Sequence, residues 1–258
     1  MARHRENFAL RTSERWQPPA FAAPTSWSGR AIAFARRLLD LQAASAWMDL
    51  KQELGSASGD VLDVGAGAQP YRPLLPAVAR YTAIDVTLAD EGFGYQMPDT
   101  VYFDSDRWPI ADGSTDLVLA TETLEHVVDP AAFLAEAARV LRPGGEVLLT
   151  VPFSARWHYI PHDYWRYTPS SLRVLLEGAG FGRVVVHARG NATTVAVYKV
   201  MALILPALLP AEGGITGKRV VAVLALPLLG LLAVAGQLSL RQDGGDDCLG
   251  WTVRATRT

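Results

Sequence analysis

The stretch VLDVGAGAQP, residues 61–70, decides the fold. It is a short apolar run, interrupted by Asp63, that breaks into a turn carrying Gly65 and Gly67. A strand buried on both faces reads as such a run, and glycines at its carboxyl end let a ligand approach the main chain. A tight strand-to-helix turn with no ligand is the competing reading. The pattern repeats downstream as YTAID (81–85), VYF (101–103), DLVLAT (116–121) and EVLLTV (146–151), with a helix over AAFLAEAARVL (131–141) between the last two. Parallel strands joined by helical crossovers make a doubly wound α/β sheet. SSLRVLLEGAGF (170–181) reads as an amphipathic helix closed by Gly178 and Gly180, and GRVVVHAR (182–189) as a sixth strand.

Upstream, residues 1–29 are polar and irregular, with Pro18, Pro19, Pro24 and Gly29 interrupting any helix. RAIAFARRLLDLQAASAWMDLKQEL (30–54) has the apolar spacing of an amphipathic helix or two, and GSASG (55–59) reads as a linker. The chain of 258 residues is half apolar, 19% charged and carries a net charge of −2, so it fits neither disorder nor collagen. Lone Cys248 forms no intramolecular disulfide and no cysteine zinc site. Clustered Lys and Arg are lacking, which argues against a nucleic acid partner. The start MARHRENFALRTSERWQPP has no apolar run behind its charges, so a cytoplasmic location is expected.

Asp85 closes the second strand 20 residues beyond Gly65, where a carboxylate can accept hydrogen bonds from both ribose hydroxyls. The alternative is a helix cap or a surface carboxylate. A dinucleotide would ask for a third glycine under its pyrophosphate, and this chain has Gln69 and Pro70 there. An adenosine ligand without phosphates has no such demand.

These blocks, in this order, resemble the class I S-adenosylmethionine-dependent methyltransferases, especially the small-molecule branch related to quinone-biosynthesis enzymes. The resemblance spans residues 58–190: VLDVGAG, IDV with Asp85, FDSDRWPIADGSTDLVLA, TLEHVVDP and RVLRPGGEVLLTVP. It implies a Rossmann-like sheet of seven strands whose last strand, CLGWTVRATR (248–257), is antiparallel and pairs beside GRVVVHAR. It also implies S-adenosylmethionine as cofactor, held by Asp63, Gly65, Gly67, Asp85, Asp104, Ser105 and Thr121, with Asp106 close by. Gln69 departs from the family's last glycine, whereas Pro70-Tyr71-Arg72 is a familiar continuation.

Methyl transfer is an in-line displacement, so the protein aligns the nucleophile and excludes water, and needs a base only for a hydroxyl or an acidic carbon. His126 in TLEHV, with His158 and His162 in WHYIPHDYWRYT (157–168), are the candidate catalytic residues. Trp157, Tyr159, Asp163, Tyr164 and Arg166 are candidate acceptor contacts. Packing or capping for His126, and a core position for Tyr164, Trp165 and Tyr167, are the bland readings. His158 and His162 flank Pro161 and lack an obvious third ligand, so no metal is expected.

From Val220 to Leu240 the chain runs 21 residues without a charge. Because the last strand must rejoin the sheet, the apolar insertion starts and ends on one side of any membrane. Its first apolar part is interrupted by Lys199 and then runs only 11 residues, too short to span, and a hairpin would put Lys218 and Arg219 at its far tip. Helices lying in one leaflet through residues 194–240 are expected, at the inner face of the membrane; a homodimer interface or an enlarged cap over the acceptor pocket is the alternative. The expected organisation is a helical lid over 1–57, an α/β core over 58–192, the insertion over 193–245 and the final strand over 246–258. The expected function is methyl transfer to a small or lipid-linked acceptor, at oxygen first, with carbon or nitrogen open. A non-catalytic cofactor-binding module at a membrane and a nucleotide-dependent oxidoreductase are the competing functions.

Overall fold

The apolar runs become seven strands of one sheet in a computed structural model of the chain, which describes residues 12, 22–24, 26–87, 97–208 and 223–258. The strands are β1 (Gly59–Val64), β2 (Ala79–Val86), β3 (Thr100–Phe103), β4 (Thr115–Thr121), β5 (Leu141–Pro152), β6 (Phe181–Arg189) and β7 (Gly250–Arg257). Their order is β3-β2-β1-β4-β5-β7-β6. β1 to β5 are parallel, and β7 lies antiparallel between β5 and β6. The winding reverses between β1 and β4, so the carboxyl ends of those two strands flank the crevice where open α/β sheets bind ligands.

The amphipathic stretch splits into α1 (Trp27–Leu39) and α2 (Leu41–Leu54). Asp40, extended between them, accepts from the Ala43 N–H at 3.1 Å and caps α2. Gly29 does not interrupt the chain as expected: it lies in the first turn of α1, its N–H donating to the Ser26 hydroxyl at 3.0 Å. α2 lies flat on the sheet, Ala46, Leu50 and Leu54 packing on Val61, Leu117, Leu119 and Leu148. This part of the expected lid thus forms a layer of the core, its apolar face covering the sheet. On the other face α3 (Pro130–Val140) and α4 (Pro169–Gly178) bury Phe133, Leu134, Leu172 and Leu176. Between β1 and β2 the described helix is a single 3₁₀ turn, Arg72–Leu74, shorter than the crossover pattern suggests.

The apolar insertion forms α5 (Ala192–Leu208) and α6 (Leu226–Ser239). Residues 209–222, with Lys218 and Arg219, lie outside the described residues, as do 1–11, 13–21, 25 and 88–96. Val195 and Met201 of α5 and Leu229 and Ala233 of α6 pack with Leu41 and Ala44 of α2. The buried Thr194 and Ser239 hydroxyls meet at 2.7 Å. Outward, Leu203, Leu231 and Val234 stand exposed, as do Trp27 and Ile32 of α1, which packs beside α6. Among the described residues no helix is long and apolar enough to cross a membrane.

Gly236 sits where α6 crosses α2 and α5. A Cβ there would lie 2.6 Å from Leu41 Cδ1 and 3.2 Å from Val197 Cγ1, whereas one at Gly230 would meet nothing within 4 Å. Both substitutions to alanine gain the same helix propensity, so their difference isolates the crossing. Gly236→Ala is expected to unfold at lower urea than Gly230→Ala, by about 1–3 kcal/mol of overpacking. Equal midpoints would mean that the helices move apart freely.

Candidate functional site

At the end of β1 the chain turns through Gly65 (φ +69°) and Gly67 (φ +51°). The Gly65 and Ala66 N–H groups donate to the Ile84 carbonyl of β2 at 3.0 and 3.3 Å, which holds the turn against that strand. A Cβ on Gly65 would lie 2.4 Å from Thr123 Cγ2, so the turn also leans on the loop after β4. The Gly67 N–H donates to Asp85 Oδ2 at 2.9 Å and the Val86 N–H to Oδ1 at 2.8 Å. Each carboxylate oxygen keeps a second acceptor position, free for a sugar hydroxyl. Burial raises the Asp85 carboxyl above its ordinary range, and the two N–H groups oppose the rise.

Gln69, standing where a third glycine was expected, adopts φ +54°. Its amide donates to Asp99 Oδ1 at 2.9 Å and Thr100 Oγ1 at 3.0 Å and accepts from Arg72 at 2.8 Å. Three side-chain hydrogen bonds thus hold a non-glycine in the left-handed region. Asp63 is buried beneath the turn. The Tyr81 hydroxyl donates to its Oδ2 at 2.7 Å, while Oδ1 has no partner. That orphaned acceptor, a turn with no room for side chains, and Asp85 with its open positions fit the amino-acid tail and ribose of an adenosyl cofactor. Asp104 and Ser105 follow β3 and are exposed, with Ser105 Oγ donating to the Arg107 carbonyl at 2.6 Å. Thr121 ends β4 beside Thr150 of β5, at the same edge.

The opposite wall is the loop Glu122–Val127, pinned by the aromatic segment. The Tyr164 N–H donates to the Glu125 carbonyl, Trp165 Nε1 to the Val127 carbonyl and the Tyr167 hydroxyl to the Leu124 carbonyl, at 2.9, 2.8 and 3.0 Å. Tyr167 is core, whereas Tyr164 and Trp165 are over two-fifths exposed. His126 and His158 stack edge to face at 5.1 Å, and Tyr159 also lies 5.1 Å from the His126 ring. Burial first, and then His158, push the His126 imidazole toward its neutral form. His162 stands apart from that pair: its carbonyl accepts from His126 Nδ1 at 2.7 Å, and its ring meets the Tyr164 hydroxyl at 3.1 Å. Asp163 and Arg166 form a bidentate pair at 2.6 and 2.8 Å, and Asp163 also holds His158, so the two face each other within the wall. Trp157 is half-buried.

Sequence reasoning missed Glu122, Glu125 and Arg189. Glu122 (φ +50°) receives the buried Arg189 guanidinium at 2.6 Å, and Glu125 is fully buried. The available signal was two carboxylates, Glu122 and Glu125, between the apolar ends of LATETLEHVV.

Burial, assisted by the charge of Asp85, pushes the Asp63 carboxyl up to about 7 against the opposing Tyr81 hydrogen bond. The folded chain therefore holds a proton that the unfolded chain has released, and stability falls as pH rises from about 4 to about 7. Asp63→Asn removes this dependence. Its stability relative to wild type is expected to improve by about 1–4 kcal/mol between pH 4.5 and pH 8 in urea melts. Parallel curves for the two proteins would show that Asp63 is ionised throughout.

A family model described as a methyltransferase domain matches residues 39–186, more than half of the chain. A probable S-adenosylmethionine-dependent methyltransferase of Mycolicibacterium smegmatis is 32% identical over 140 residues, covering 48% of this chain and 52% of that protein. The 27-O-demethylrifamycin SV methyltransferase of Amycolatopsis mediterranei is 34% identical over 109 residues, 36% of this chain and 38% of that protein. The chain thus spans about half, or less, of the length of these curated relatives. A crystal structure of an S-adenosylmethionine-dependent methyltransferase from Archaeoglobus fulgidus superposes with a TM-score of 0.51 at 16% identity, over 88% of this chain and 99% of that one, a likeness of fold. With the ordered turn, the acidic strand ends and the sheet order in hand, the chain belongs to the methyltransferase domain family, the class I S-adenosylmethionine-dependent methyltransferases.

Proposed function

We propose that this protein transfers a methyl group from S-adenosylmethionine to an oxygen of a small, apolar or lipid-linked acceptor that it meets at a membrane surface. The observation that carries the reading is where the insertion begins and ends. Arg189 and Gly250 are paired in register at the carboxyl edge of the sheet, so α5 and α6 leave and return at the same edge as the cofactor turn and the histidine wall. Lys199 of α5 donates to the Ser154 carbonyl just beyond β5, which ties the insertion to the loop leading into the aromatic segment.

Bound S-adenosylmethionine supplies a sulfonium methyl whose C–S bond breaks as the acceptor oxygen forms the new C–O bond, leaving a neutral thioether. The residues of the chain do the rest. Asp85 takes the ribose hydroxyls, Asp63, Gly65 and Gly67 hold the amino-acid end, and Asp104, Ser105 and Thr121 border the adenine. His126, His158 and His162, with Trp157, Tyr159 and Tyr164, face the acceptor and handle its oxygen and proton. Asp163 and Arg166 keep that wall in place. Transfer to oxygen agrees with the activity in the name of the rifamycin relative. The exposed faces of α5, α6 and α1 would rest on the lipid surface from which an apolar acceptor enters.

Two measurements test this. Titration calorimetry of the full chain with S-adenosylmethionine is expected to show saturable binding that Asp85→Ala weakens by about 1.5–3 kcal/mol, roughly 10- to 150-fold. Undiminished binding by that variant would remove Asp85 from the site. Sedimentation with phospholipid vesicles is expected to carry the wild type down and to leave the double variant Leu203→Glu, Leu231→Glu in solution. A wild type that stays in the supernatant as a dimer would assign those faces to a second subunit and end the membrane reading.

A further inference from the structure

The histidine wall brings three potential ligand side chains together. One ligand atom each of Glu125, His126 and His158 lie within 4.8 Å of one another. Glu125 has no exposed surface, and neither of its carboxylate oxygens has a hydrogen-bond partner. A buried carboxylate left without a donor is costly, so such a group calls for a cation or a proton.

The two imidazoles are oriented so as to supply no donor. His126 Nδ1 lies 2.7 Å from the His162 carbonyl, so Nδ1 carries the hydrogen and Nε2 the lone pair. Nε2 is 3.6 Å from Glu125 Oε1, too long for a hydrogen bond. His158 Nδ1 lies 3.0 Å from Asp163 Oδ2 and 3.1 Å from the Arg156 carbonyl, two acceptors nearer than the Arg166 Nη2 donor at 3.4 Å, which again puts the hydrogen on Nδ1 and the lone pair on Nε2. Asp163 is held in turn by the Arg166 fork. Histidines that bind metals are held in this way, with one ring nitrogen donating to a carboxylate or carbonyl and the other free.

We propose that Glu125, His126 and His158 bind a divalent transition-metal cation at the acceptor side of the site. Two imidazoles and one carboxylate suit zinc, and a set of three leaves coordination positions open. The histidine side chains are 20% and 29% exposed, so an exogenous ligand can reach the pair. The inference rests on the reading of this wall as the acceptor surface and sharpens it. The cation would hold the acceptor oxygen and lower the affinity of that oxygen for its proton. With the Nε2 lone pairs of His126 and His158 on the metal, His162, which is not a ligand, would take the proton and pass it to solvent.

The test uses the full chain, stripped with a chelator, and two probes. Zn²⁺ is titrated by calorimetry and Co²⁺ is followed by its visible absorption, while each sample is also titrated with S-adenosylmethionine. One equivalent of Zn²⁺ and a Co²⁺ spectrum of low coordination number are expected. Asp163→Asn should weaken Zn²⁺ binding by about 10- to 100-fold, and Glu125→Gln and His158→Gln by at least as much. His187→Ala, which removes an exposed histidine of β6, should leave it unchanged. Retained cofactor binding shows that each variant is folded. A wild type that binds cofactor but no Zn²⁺, or Zn²⁺ binding that survives Glu125→Gln, overturns the metal site while leaving the methyltransferase reading intact. Loss of cofactor binding by the wild type would count against that reading instead.

Discussion

Thr123 stands where a side chain at residue 65 would be. That steric exclusion lets the turn after β1 and the loop after β4 share one crevice, and the site is built on it. The turn closes on Asp85 through the Gly67 N–H, and the loop carries Glu125 and His126 on its far side. A cradle for an adenosyl group and a polar wall for an acceptor are thereby set facing each other, with the reversal of strand order providing the gap between them.

The wall is held by main-chain contacts more than by side-chain packing. Glu125 offers its carbonyl to the Tyr164 and Trp165 N–H groups, and Leu124 and Val127 offer theirs to Tyr167 and Trp165. Holding the loop by its carbonyls leaves the Glu125 carboxylate without a structural hydrogen bond. The Glu122 to Arg189 pair fixes the start of the same loop against β6, the strand from which the apolar insertion departs.

The central strands β1, β4 and β5 were legible because burial on both faces makes most of each an apolar run, and Asp85 and Gly65 were legible because their spacing is set by the length of one strand and its crossover. Three things were not. Gln69 looks like a flaw in a glycine pattern until Asp99, Thr100 and Arg72 are seen to hold its left-handed backbone. Glu125 draws its interest from being buried without a donor, a property of three-dimensional surroundings that a one-letter code does not record. What α2 covers was not legible either, because an amphipathic helix does not say what it packs on, and the sheet it covers lies later in the chain. The insertion was legible as apolar but not as half-buried, since Gly236 meets Leu41 across nearly 200 positions of sequence.

The position of β7 has a consequence for synthesis. Among the described residues β6 bonds to the sheet only through β7, and β7 enters between β5 and β6. While the roughly 60 residues after Arg189 emerge from the ribosome, about 3–12 s at ordinary rates, β5 presents an unpaired edge and β6 has no strand to pair with. The most apolar helices of the chain are extruded in that same interval. A chaperone or a lipid surface that holds α5 and α6 until Gly250 arrives would protect an open seam as well as greasy helices, so the nascent chain is most vulnerable just before its sheet can close.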